Sequence, residues 1–114
     1  MSKERVIKAL KGLGLSQDDA RVYVFLAKYG PHKEKEITDI LKLHEKRTVH
    51  SLKNLQEIEI VIPIEGHPVR YSAVPFEEVI DLSIEVKKEQ AKTMQENKKE
   101  ILSSWKALIK NSKN

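Results

Sequence analysis

The chain has 114 residues, enough for one domain with an appendage and too few for several independent cores. Charged residues make up 33% of it and hydrophobic ones 39%, which fits a small, mostly helical protein with much of its surface in water. The net charge of +4 and pI near 9.2 fit a polyanionic partner without requiring one, and the lack of cysteine excludes disulfides and thiolate metal sites.

In chain order, Val6, Ile7 and Leu10 recur at helical spacing, which predicts a short helix over residues 3–11 that Gly12 stops. Charges in residues 1–8 sit where a signal peptide needs an apolar core, and no apolar run approaches the roughly 20 residues of a membrane span. A cytoplasmic protein without membrane contact is therefore expected. Ser16 and Asp19 stand at the spacing of a capping pair. The helix that follows should bury Ala20, Tyr23, Val24, Leu26 and Ala27 and end at Gly30-Pro31.

Residues 34–42 form the first helix of a predicted helix-turn-helix, with Ile37, Ile40 and Leu41 inward. A turn over 42–44 leads to a second helix beginning at Glu45, whose charge suits the helix N-terminus. At 100° per residue, Thr48, Val49, Leu52 and Leu55 are assigned to its inner face and Lys46, Arg47, His50 and Asn54 to its outer face. A hairpin follows: 60–64, a turn at Gly66-His67-Pro68, then 69–74. Ile60, Ile62 and Ile64 alternate as if on one buried face, and Pro63, lacking a backbone donor, places that strand at a sheet edge.

Pro75 sits where a helix begins, and residues 76–110 contain no breaker. Ile80, Lys87, Met94, Ile101 and Leu108 form one heptad series; Ile84, Ala91, Lys98 and Trp105 form the other. Val79, Leu82 and Val86 lie beside this seam, where they can pack on the preceding domain. The expected organisation is a winged helix-turn-helix over 1–75, a long coiled-coil helix over 76–110 and a frayed tail over 111–114. The fold class is mainly α with a small β-hairpin wing. A lone apolar stripe needs a partner, so a homodimer through Ile80, Ile84, Ala91, Met94, Ile101, Trp105 and Leu108 is expected.

A helix that is basic outward and aliphatic inward suits a DNA major groove, although a charged outer face is also what any solvated helix carries. On the DNA reading, Arg47 is the candidate for a bidentate guanine contact, and His50 and Asn54 can read bases or bond phosphate. Lys46, Ser51 and Lys53 would bind the phosphate backbone, as would Lys33 and Lys35 near a helix start. His67 and Arg70 flank the wing tip, where they would meet a minor groove or phosphate, or simply water. His32, His44, His50 and His67 lack ligand spacing, so no metal is expected, and no cofactor or small-molecule effector is evident. Gly12-Leu13-Gly14 is too short for a phosphate loop and the carboxylates are dispersed, so no enzyme is expected.

One stretch is more specific. Leu13-Gly-Leu-Ser-Gln-Asp-Asp-Ala-Arg-Val-Tyr-Val-Phe-Leu-Ala-Lys-Tyr-Gly-Pro resembles the opening of the TrmB-like family of archaeal transcriptional regulators. Glu36-Ile37, Leu52, Leu55 and Arg70-Tyr-Ser-Ala-Val-Pro-Phe-Glu-Glu continue the resemblance, which covers about residues 6–86. It departs from the family at Lys42 and Glu59, where glycine is usual, and at His44, where proline is common. Sugar-responsive members carry an effector domain after the coiled coil; the sequence ends before one, so a DNA-binding and dimerisation unit without sugar sensing is expected. The resemblance implies double-stranded DNA as partner and transcriptional regulation as function, with a homodimer on an inverted repeat. The alternatives are a winged-helix protein-interaction module and a non-specific chromatin protein.

Overall fold

The computed structural model describes residues 2–112. Among the described residues, six helices and three strands follow one another: α1 (Ser2–Lys11), α2 (Gln17–Tyr29), β1 (His32–Lys33), α3 (Glu34–Leu41), α4 (Glu45–Glu57), β2 (Val61–Ile64), β3 (Arg70–Ala73), α5 (Phe76–Glu96) and α6 (Lys98–Ser112). Two compact units divide between Ser83 and Ile84. The first is the winged helix-turn-helix; the second holds the remainder of α5 and all of α6.

The first unit is built around α2. Ser16 caps this helix through a reciprocal pair, its Oγ accepting from the Asp19 N–H and the Asp19 carboxylate accepting from the Ser16 N–H, each at 3.1 Å. Ala20, Val22, Tyr23, Phe25 and Leu26 are buried against Leu10, Leu15, Ile37, Leu52, Leu55, Ile60, Val61 and Val79. Val22 and Phe25 thus replace Ala27, which is exposed although the expected pattern put it inside. The Tyr23 hydroxyl donates to the Val74 carbonyl, tying α2 to the end of the wing. Burial, with the Glu78 charge nearby, pushes this phenol up to about 12.

The sheet has the order β1-β3-β2, so β2 is an edge, as Pro63 requires. Its register pairs Val61 with Ala73 and Pro63 with Tyr71, and of the four β2 residues Val61 alone is buried. Ile62 and Ile64, opposite Ser72 and Arg70, are exposed, contrary to the alternation read from the sequence. The strand begins at Val61, one residue later than expected, and beyond Val61 it runs as an edge exposed on both faces. Ile60, just before the strand, packs in the core, and its carbonyl accepts the Val74 N–H. The two-residue β1 was not expected; it pairs with β3 and places Lys33 opposite Arg70.

Lys42 and Glu59 both have left-handed backbones, with φ of 55° and 61°. The helices before them end alike: the Leu43 N–H reaches back to the Thr38 carbonyl, and the Ile60 N–H to the Leu55 carbonyl. These six-to-one bonds need an αL residue just past the helix, the place where glycine carries no Cβ penalty. Lys42 and Glu59 thus hold, with side chains that strain it, a geometry that glycine adopts freely. Glu59→Gly is expected to raise stability by about 0.5–1 kcal/mol, the αL relief less the extra entropy glycine loses on folding. Denaturant melting would detect it as a higher midpoint with unchanged slope.

In the second unit, Asn97 separates α5 from α6, where one uninterrupted helix was expected. Backbone hydrogen bonds still run across it, from the Asn97 N–H to the Thr93 carbonyl and from the Ile101 N–H to the Asn97 carbonyl, both 3.0 Å. Asparagine is a weak helix former because its side chain competes for backbone partners, which suits a local interruption there. Ile84, Met94, Ile101, Leu102, Trp105 and Leu108 are exposed. α6 also includes Asn111 and Ser112 of the expected frayed tail; residues 113 and 114 lie outside the described residues.

Candidate nucleic-acid interface

The turn between α3 and α4 sets the angle at which α4 is presented. Leu43 is buried in this turn, and the Thr38 hydroxyl donates to the buried Thr48 hydroxyl at 2.9 Å, locking the two helices together. Arg21 of α2 donates to the Leu41 carbonyl at 3.0 Å, satisfying one of the open acceptors at the end of α3. His44 caps α4, its Nδ1 accepting from the Lys46 N–H at 3.2 Å, in the place where the family often has proline.

Thr48, Ser51, Leu52 and Leu55 form the buried side of α4. Two expectations change here. Ser51, expected at phosphate, is only 1% exposed and faces the core. Val49, expected inside, is 46% exposed. The true inner stripe follows the i, i+3, i+4, i+7 spacing from Thr48, and two hydroxyl residues, Thr48 and Ser51, belong to it.

One flank of α4 is held by the acidic start of α2. Arg47 donates through Nε and Nη2 to both carboxylate oxygens of Asp18, each at 2.7 Å, and Asn54 donates to Asp19 Oδ2 at 3.3 Å. The Asp18 carboxylate holds the Arg47 guanidinium above its ordinary pKa through hydrogen bonding and charge. The side-on edge of Arg47 that would grip guanine is therefore already paired, and Asn54 points to α2. In the free chain both are thus bonded to α2, while the Arg47 side chain stays 60% exposed.

The outward face that remains carries Lys46, Val49, His50 and Lys53, which with Glu45 line a shallow depression. All five are exposed. A second basic locus lies on the sheet. Lys33 and Arg70 are direct cross-strand partners, although far apart in the chain, and like charges so placed repel unless something anionic joins them. Glu36 supplies part of that compensation. Its carboxylate accepts the Lys33 N–H at 2.9 Å and is held below the usual range by that bond first, then by the charges of Lys33, His32 and Arg70. Lys35 is exposed on α3, and His67 is exposed at the wing turn. No group of His, Cys, Asp or Glu able to hold a metal occurs among the described residues, and no described helix is long and apolar enough to cross a membrane.

Comparisons with known proteins agree with this geometry. TrmBL2, an archaeal chromatin protein whose structure shows a novel mode of DNA binding, superposes with a TM-score of 0.76 at 25% identity. The match covers 97% of this chain and 43% of that one, so this chain spans less than half of TrmBL2. The ST1889 protein of Sulfolobus tokodaii matches at TM-score 0.69 and 21% identity, covering 82% of this chain and 98% of its own. A possible transcriptional regulator from Methanosarcina mazei matches at 0.65 and 20%, covering 85% and 86%. These last two establish the fold alone. No curated protein sequence matches. The family described as sugar-specific transcriptional regulator TrmB matches residues 10–77, more than half of the chain. With the helix-turn-helix, the wing and this match in agreement, the chain belongs to the TrmB family of winged-helix, DNA-binding transcriptional regulators.

Proposed function

We propose that this protein binds specific double-stranded DNA as a homodimer and regulates transcription from an inverted-repeat operator, by default through occlusion of a promoter. The observation that carries the proposal is the outward face of α4, where Lys46, His50 and Lys53 project to solvent beside Val49 on a helix locked by buried packing. α4 enters the major groove, the ammonium groups neutralise phosphates, and the exposed base-facing residues read sequence. Lys33, Lys35, His67 and Arg70 add phosphate or minor-groove contacts from α3 and the wing. Dimerisation is supported by the exposed apolar positions of α5 and α6, Trp105 at 57% and Leu108 at 61% among them. Ile80, Ile84, Ala91, Met94 and Ile101 complete the proposed seam.

Titration with salt tests the DNA reading. Phosphate neutralisation makes log K fall linearly with log salt, whereas a winged helix that only binds protein has no duplex affinity to titrate. Lys53→Ala is expected to weaken all duplexes alike and to reduce the salt slope by about one. Loss confined to one sequence would instead make Lys53 a base reader.

A second reading has one specific observation in its favour: TrmBL2 is described as a chromatin protein. On that reading the same face coats DNA without sequence preference. Competition with random duplex separates the two, because a cognate site should prevail by about 10³-fold or more.

A further inference from the structure

Val49 is the aliphatic residue on the exposed side of α4, between one depression with polar neighbours and another that it shares with Leu52 and Tyr71. It is 46% exposed, and the outer of the two depressions is otherwise formed by Glu45, Lys46, His50 and Lys53. Helical geometry puts Lys46 and Lys53 one turn before and after it on the same side, and His50 next to it. Meanwhile the flank with Arg47 and Asn54 is tied to Asp18 and Asp19. The centre of the outward face therefore holds one side chain with neither donor nor acceptor.

We propose that Val49 determines specificity by packing against the 5-methyl group of a pyrimidine in the major groove. The inference rests on the DNA reading and names what one residue of that surface recognises. Thymine C5-methyl is the apolar feature that base pairs present in this groove, and an aliphatic side chain is its complement. Lys46 and Lys53, anchored on phosphates either side of the groove, hold Val49 at base-edge depth while leaving the methyl contact to it. The discrimination is small and chemical: burying one methyl is worth about a three- to fivefold change in affinity. Removing Val49 leaves the core intact, since the side chain is outside it.

The test uses the full chain and a duplex selected from random sequence. Each thymine is replaced in turn by deoxyuridine, which deletes only the 5-methyl, and each cytosine in turn by 5-methylcytosine, which adds one. The wild-type protein is expected to lose about three- to fivefold at one thymine in each half-site, and Val49→Ala to bind the two forms within about twofold of each other. Tightening at one 5-methylcytosine, again absent in Val49→Ala, would assign the methyl to a modified cytosine and equally support the contact. A selected duplex that responds to no methyl change, or a Val49→Ala protein that responds as the wild type does, overturns the inference while leaving DNA recognition standing. Failure to select any duplex overturns both.

Discussion

Ending the chain after Ser83 is expected to leave a folded winged helix that binds the selected duplex about 10²–10⁴-fold more weakly than the intact protein. The division between the compact units falls there, and the buried residues Val79 and Ser83 stay with the first. What the truncation removes is the exposed apolar series from Ile84 through Met94, Ile101 and Trp105 to Leu108. Such a series is unfavourable in water and is relieved when two copies pair. Pairing makes the second head's binding intramolecular, so affinity falls without loss of any protein–DNA contact in the remaining head. Sedimentation distinguishes the cases: intact dimer and truncated monomer at micromolar concentration support the account, and an intact monomer contradicts it. A truncated chain that binds equally well would also contradict it.

Leu52→Ala is expected to destabilise the first unit by about 2–5 kcal/mol, the lost transfer energy plus that of the cavity left behind. Leu52 is 2% exposed and packs in the cluster that joins α2, α3 and α4. The effect acts on the platform rather than the reading face, so molecules that remain folded should keep their base preference. Denaturant melting checks the first part and duplex selection the second. An unchanged melt would mean that α4 is rotated from the orientation described.

The order of elements was legible in the sequence because each boundary has its own chemistry: Ser16 with Asp19, Gly30-Pro31, Glu45, Pro63 and Pro75. The rotation of α4 was not. Polarity assigned Ser51 outward and Val49 inward, yet Ser51 is buried and Val49 exposed. Packing geometry overrode residue type there, at the surface proposed to be functional, where local rules are expected to yield. The pairing of Arg47 with Asp18 was not legible either, because Asp18 lies on another helix and no local spacing reveals the pair. β1 escaped for the same reason, since two residues carry no periodicity and Lys33 becomes a strand residue only by pairing with Arg70. On the wing, alternation suggested a buried face for Ile60, Ile62 and Ile64, but only Ile60 is buried, because the end of the edge strand extends beyond the core.

The measurement that bears most directly on the proposed function is hydroxyl-radical protection of the selected duplex by the intact protein. Two heads carried by one dimer should protect two equal patches related by the dyad of an inverted repeat. Their centres should lie a whole number of helical turns apart, each turn about 10–10.5 base pairs. A single patch, two patches in direct repeat, or uniform protection of any duplex offered would contradict the account.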